Sequence, residues 1–274
     1  MVAEQLSAKF GQGVVIDNRP GGGHSTALKS VAAAEPDGYA LLLGGTGSLT
    51  INPALRGGYE AAPGNDLVPV ALLATIPNVM AISSVVPAKT MAELIAYAKA
   101  NPRKLSYGAG LATPPHLLCE YIRAKTGVDF IHIPYRGAVQ AFPDLLSGRI
   151  QIIVEGPGVL LPHIQQGKVA PLVVTSATRL RELPDVPTLV EVGIDGYPPQ
   201  TWMGIVAPPG TPTAIVRKLN VTINDVLNST ELKGSLARLG FTAQPVTTDN
   251  FASLIASDRE KWVEVAKVAN VKAE

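Results

Sequence analysis

Residues Gly13 to Leu55, GVVIDNRPGGGHSTALKSVAAAEPDGYALLLGGTGSLTINPAL, read in order as strand, glycine loop, helix, turn, strand and glycine loop. Val14-Val15-Ile16 is a short β-branched run suited to a buried strand. Asn18-Arg19-Pro20-Gly21-Gly22-Gly23 breaks it, and His24 to Ala34 carries Leu28, Val31 and Ala32 on one helical face. Glu35-Pro36-Asp37-Gly38 stops that helix, because the residue before a proline disfavours the α conformation and Asp-Gly favours a turn. Tyr39 to Leu43 follows as an apolar strand of the kind buried on both faces of a parallel sheet. It runs into Gly44-Gly45-Thr46-Gly47-Ser48, whose backbone can come close to a ligand.

Glycine loops at the carboxyl ends of neighbouring parallel strands, each feeding a helix, make a cradle for an anion or carboxylate. The free N–H groups and the dipole of a helix start favour negative charge there. The candidate contacts are Gly22, Gly23 and His24 in the first loop and Thr46, Gly47 and Ser48 in the second. The plainer alternative is that these glycines only turn the chain.

A length of 274 residues allows two ordinary domains or one large α/β domain. The formal charge of +1 leaves no footprint for nucleic acid or an anionic membrane. No apolar run approaches a membrane span. A lone Cys119 excludes an internal disulfide. The opening MVAEQLSAKF reads as an amphipathic helix and not as a signal peptide. An α/β sheet usually places a strand before such a helix, so a segment upstream is expected to be missing.

Further along, Leu67–Thr75 and Val79–Val86 read as strands. Thr90-Met91-Ala92-Glu93 fits a capping box before a helix that stops at Asn101-Pro102. Leu105-Ser106-Tyr107 is a short strand and Gly108-Ala109-Gly110 a third glycine loop. Thr113 caps a helix with Pro114 in its first turn, ending at Gly127. Phe130–Pro134 is a strand turning through Tyr135-Arg136-Gly137 into the helix Ala138–Leu146. Ile150–Val154 is a strand ending at Glu155, followed by a short helix and the strand Ala170–Thr175. A proline-rich connection, Arg179 to Gln200, leads to the strand Trp202–Val206. Helices then follow, the first capped by Thr211 with Pro212 and carrying Ile215, Leu219, Ile223 and Val226 on one face. The next carries Leu232, Leu236 and Leu239, and the last Phe251 to Val265. Such alternation is doubly wound α/β in two lobes with crossing segments.

Catalytic signatures are absent: no G-x-S-x-G, H-E-x-x-H, G-x-x-x-x-G-K-[ST] or C-x-x-C. Gly21-Gly22-Gly23 and Gly108-Ala109-Gly110 begin a dinucleotide fingerprint, but Thr26 and Thr113 stand where its third glycine belongs. His116 and Glu120, four apart around Cys119, lack a third metal ligand. His132 and His163 read as structural. The Arg136 guanidinium is placed to meet a carboxylate at a strand's end, or is a surface arginine after a turn. Glu155 could bond a ligand hydroxyl or amine, or cap the next helix. Gly108, Ala109, Gly110, Thr113, Tyr135, Arg136, Gly137 and Glu155 therefore complete the candidate contacts.

One family carries the same segments in order through nearly the whole chain. Asn18–Gly23, Pro36–Tyr39, Ile51-Asn52-Pro53, Ala92–Lys99, His132–Gly137, Asp144–Gly148, Pro184–Thr188 and Trp202–Pro208 together resemble the Bug family. These are the TctC-type substrate-binding proteins of tripartite tricarboxylate transporters. The resemblance implies a periplasmic, two-lobed Venus-flytrap protein of the type II binding-protein fold, each lobe built on a doubly wound sheet. It also implies a non-enzymatic role: capture of a small carboxylate (a di- or tricarboxylate, amino acid or aromatic acid) in an interlobe cleft. Backbone and hydroxyl groups, often through bridging waters, would hold it. A monomer without cofactor, serving the transporter's membrane components, is expected. Lobe 1 would comprise residues 1–79 plus 203–274 and lobe 2 residues 80–202, with Trp202 and Ile76-Pro77-Asn78 near the hinge. The chain departs from the family in lacking the signal peptide and first strand of lobe 1, which reads as an N-terminal truncation, and in Thr113-Pro114-Pro115. A dinucleotide-dependent oxidoreductase and the ligand-sensing domain of a regulator are the rival classes.

Overall fold

The computed structural model describes residues 1–19, 25–55 and 67–271. In chain order they form α1 (Val2–Phe10), α2 (Ser25–Ala32), β1 (Leu42–Gly45), α3 (Asn52–Leu55), β2 (Val68–Ile76) and β3 (Val79–Ser83). Next come α4 (Met91–Ala100), β4 (Ser106–Ala109), α5 (Pro114–Thr126), β5 (Ile131–Pro134), α6 (Ala138–Leu146), β6 (Ile152–Glu155) and α7 (Pro157–Gln165). The chain ends with β7 (Val169–Val174), β8 (Thr201–Ala207), α8 (Thr213–Asn228), α9 (Thr230–Arg238), β9 (Thr242–Ala243) and α10 (Thr248–Ala269). Two α/β units result: Met1–Thr75 with Trp202–Glu260, and Ile76–Thr201 with Lys261–Glu274.

Local chemistry sets several helix ends. Thr90 Oγ1 accepts the Glu93 N–H at 3.2 Å and opens α4, while the Glu93 carboxylate turns back to the Lys89 N–H at 2.6 Å. Pro114 stands in the first turn of α5, and Gly127, with φ 74°, closes it in the left-handed conformation. Thr211 lies just outside α8, its hydroxyl donating to Pro208 O at 2.8 Å, and Pro212 is the N-cap.

In unit 1 the strand order is β1-β8-β2-β9. Side chains alternate across β2: Ala71 and Leu73 join Leu219, Ile223 and Val226 of α8, and Leu72 joins Leu28 of α2 and Phe251 of α10. Helices thus cover both faces. Two strand expectations from the opening stretch are corrected here. Val14-Val15-Ile16 is an exposed, irregular segment, with Val15 85% accessible, because no strand among the described residues lies beside it to complete a ladder. The second strand runs Leu42–Gly45 and is antiparallel to β8, not parallel to a neighbour. It is the outer strand of the described sheet, so Leu42 is buried while Leu43 and Tyr39 face outward.

In unit 2 the order is β5-β4-β6-β3-β7. β4 is parallel to both neighbours, Gly108 standing opposite Ile133 of β5 and Ile153 of β6. β3 is antiparallel to β6 and β7. A Cβ on Gly108 would meet Ala141 of α6 at 3.1 Å, so this residue faces α6. Tyr107, one step away and on the opposite face, donates its hydroxyl to Glu120 of α5 at 2.5 Å. α5 and α6 therefore lie on opposite faces of the sheet. α7 shares the face of α6, since Leu160 packs in one cluster with Ala141, Phe142 and Leu145.

Among the described glycines of unit 1, Gly204 is the most closely packed: a Cβ there would stand 2.3 Å from Phe251 Cζ and 2.9 Å from Ala71 O. Gly204→Ala is expected to destabilise unit 1 by about 1–3 kcal/mol. A urea melt monitored through the tryptophans would show this as a lowered midpoint, and an unchanged midpoint would contradict the packing.

Candidate functional site

The loops leaving β4 and β6 diverge, one toward the α5 face and the other toward the α7 face. Adjacent parallel strands whose connections part in this way open a crevice at their carboxyl ends, the usual ligand position in open α/β sheets. Gly110 to Thr113 lies on one side of that crevice and Glu155-Gly156 on the other. Tyr135 to Gly137, after β5, flanks the first loop. The sequence reads each of these segments separately as following a strand.

Each of the three strands feeds a helix start: Thr113 precedes α5, Gly137 precedes α6 and Gly156 precedes α7. None of these helices has a side-chain N-cap bond, and none has an acidic residue in its first turn. By contrast α4 and α9 are capped, by Thr90 and by Ser229. Three helix N-termini without a side-chain cap thus share one edge of unit 2, and their dipoles favour an anion there. Pro114 and Pro115 of α5 and Pro157 of α7 carry no N–H, and the Gly156 N–H is taken by Glu155.

Two expected loop contacts shift role. Gly108 and Ala109 belong to β4 itself, buried in the sheet, because the ladder to β5 continues through both and the ladder to β6 reaches Gly108. The loop begins at Gly110, where a Cβ would approach Thr113 Cγ2 at 3.0 Å and Tyr135 O at 3.4 Å. Thr113 supplies the N-cap backbone, but its hydroxyl donates to Gly110 O at 2.7 Å instead of capping α5. Tyr135 donates its hydroxyl to Asp144 Oδ2 at 2.6 Å, and burial together with that carboxylate pushes its pKa up to about 12. Arg136 is exposed and makes no ion pair among the described residues. Glu155 is partly buried, and burial raises its pKa against the opposing bond from the Gly156 backbone. It too has no ion-pair partner among the described residues.

Two histidines hold the β4 loop: His132, which the sequence reads as structural, and His116, which it weighs with Glu120 for a metal. His132 Nε2 donates to Ala109 O at 2.9 Å, and the same carbonyl accepts the Tyr135 N–H at 3.1 Å. His116 Nδ1 accepts the Ala112 N–H at 3.3 Å, at a residue whose φ of 55° places it in the left-handed region. The two rings lie 4.4 Å apart, and Tyr107 stacks on His132 at 5.0 Å. Glu120, considered with His116 for a metal, instead accepts from Tyr107 and pairs with Arg123 at 2.6 Å. Only the fold, by laying β4 beside β5, reveals this arrangement.

In unit 1, Gly22, Gly23 and His24 lie outside the described residues. Thr46 and Ser48 are buried and their hydroxyls are engaged internally. Thr46 Oγ1 accepts the Trp202 N–H at 2.9 Å, and Ser48 Oγ accepts the Gly45 N–H at 3.0 Å. Gly47 opens a π-helical turn, Gly47–Ile51, whose Thr50 hydroxyl meets Thr46 O at 2.7 Å. Asp258, which the sequence did not single out, accepts the Trp202 indole N–H at 2.8 Å and steadies this corner. A cavity of about 470 Å³ between α1 and α8 is remote from these loops in the chain, and its Lys9 is already paired with Asp225.

The two α/β units share their architecture with solved periplasmic binding proteins. The tripartite tricarboxylate transporter family receptor model, TctC, matches residues 1–271, and the chain belongs to that family. It is 32% identical to Rpa4515 of R. palustris, solved with adipate, at a TM-score of 0.89 covering 99% of this chain and 91% of that one. The periplasmic binding protein BugD is 28% identical, with a TM-score of 0.88 over 100% of this chain and 92% of its own. MatC (Rpa3494) from Rhodopseudomonas palustris, with bound malate, is 28% identical at a TM-score of 0.87, covering 96% and 91%. The resemblance to the Bug and TctC proteins is thereby established. These neighbours are binding proteins, and they favour neither a dinucleotide enzyme nor a regulator's sensing domain.

Burial and the adjacent His132 lower the His116 pKa to about 4 from an ordinary 6.5. The unfolded chain takes up a proton in that interval while the native ring stays neutral. The contribution to stability is complete above the unfolded value and is lost as pH falls toward the folded one, by about 3 kcal/mol in all. His116→Asn is expected to flatten the decline in urea midpoint between about pH 7 and pH 4.5. Parallel profiles for the two proteins would contradict this role of His116.

Proposed function

We propose that this protein is a periplasmic receptor that captures a small carboxylate and delivers it, as a monomer, to the membrane components of a tripartite tricarboxylate transporter. The observation carrying this reading is the gathering of three side-chain-uncapped helix starts at the carboxyl ends of β5, β4 and β6. An anion at that edge would meet aligned helix dipoles and the remaining first-turn N–H groups, chiefly those of α6 since Pro114, Pro115 and Pro157 have none, without needing a buried cation. Gly110, Thr113 and Gly137 would contribute backbone contacts, and Arg136 a charged one able to grip a carboxylate with two parallel bonds. In unit 1, Gly47 with its neighbours, and the glycines and histidine at 22–24, would supply a further set of contacts. Adipate with Rpa4515 and malate with MatC suggest a chain of four to six carbons with a carboxylate at each end.

Isothermal titration of the whole chain with adipate, succinate, malate, aspartate, citrate and benzoate tests the proposal. At least one is expected to bind in the micromolar range or tighter. Arg136→Gln is expected to weaken that ligand about tenfold, the usual worth of one charged hydrogen bond. Silence across the panel on protein with an intact unfolding transition would overturn it.

A further inference from the structure

The strand order β5-β4-β6 puts two charged side chains of the strand-end edge on opposite sides of β4. Arg136 follows β5 on one side and Glu155 closes β6 on the other. Outer strands of such a triplet are roughly 10 Å apart, about the span of a short functionalised acid. Each lacks an ion-pair partner among the described residues, so neither charge neutralises the other or is neutralised from within the unit. The edge is therefore bipolar: a cation and three helix starts favour a carboxylate, while the β6 end presents one of its own.

We propose that Glu155 makes this crevice selective for a carboxylate bearing a hydrogen-bond donor on its carbon chain, an ammonium or a hydroxyl, over the unsubstituted dicarboxylate of equal length. The proposal rests on the carboxylate-binding reading above and narrows it. A carboxylate can only accept, so a donor on the ligand satisfies Glu155 where a methylene leaves it facing a group that offers nothing. A bare second carboxylate at that position would meet a like charge. The surroundings of Glu155 agree. Among the described residues its bond is to the Gly156 backbone, and burial raises its pKa against that bond.

Succinate, malate and aspartate share one carbon skeleton and differ only in hydrogen, hydroxyl or ammonium at one carbon. Titrated into the whole chain near neutral pH, malate or aspartate is expected to bind on the order of 10- to 100-fold more tightly than succinate. Preference for aspartate assigns an ammonium to Glu155, and preference for malate a hydroxyl; either supports the proposal. Glu155→Gln is expected to bring the three affinities within about threefold of one another, weakening the substituted acid and tightening succinate. Succinate binding as well as both others to the unaltered protein overturns the proposal, and that comparison needs no variant to fold. A preference that survives Glu155→Gln also overturns it. In both cases carboxylate binding itself stands, whereas failure of all three together with the wider panel removes the carboxylate reading and this one with it.

Discussion

Parallel pairing of β4 with both β5 and β6 is the constraint on which the candidate site depends. Parallel neighbours cannot be joined by a hairpin, so each strand must pass through a helix before the next begins. Three strands pointing one way then deliver three helix starts to one edge. Because β5 and β6 lie on opposite sides of β4, the connections separate and leave a crevice. Nothing at the other edge of this triplet is equivalent, since helices end there and present carbonyl groups.

The crevice also needs a loop that keeps its shape without a ligand. Between Ala109 and Pro114 the backbone is held by bonds from outside the loop: His132 and Tyr135 to Ala109 O, and Ala112 N–H to His116. These satisfy polar groups that would otherwise be costly beneath the surface, and they hold Ala112 in a conformation that favours glycine. The unit 1 corner is stiffened differently. Thr46, Ser48 and Thr50 fold their hydroxyls back onto the chain, with Trp202 and Asp258 completing the network. The hydroxyls of this glycine-rich corner therefore serve here to fix the main chain.

Sequence alone was sufficient where chemistry acts within a few residues. The Thr90 cap, Pro114 and Gly127 around α5, the strand ends at Pro134 and Glu155, and the family likeness spread over segments in order could all be read directly. Helix boundaries depend on local hydrogen bonds and on glycine's freedom to adopt positive φ, so composition and spacing carry them. Tertiary structure decided everything that depends on which segment lies beside which. Val14–Ile16 has strand composition but no ladder partner in the described sheet, and Tyr39–Leu43 turned out to border an antiparallel sheet. Gly108 reads as loop, yet a small residue was required inside β4 for α6 to approach. Thr46 and Ser48 look like ligand hydroxyls until Trp202 and Gly45 are placed against them. His116 and His132, sixteen residues apart, become a pair only when β4 lies beside β5. Strand register and hydrogen-bond competition are long-range properties, set by packing that no local window of residues contains.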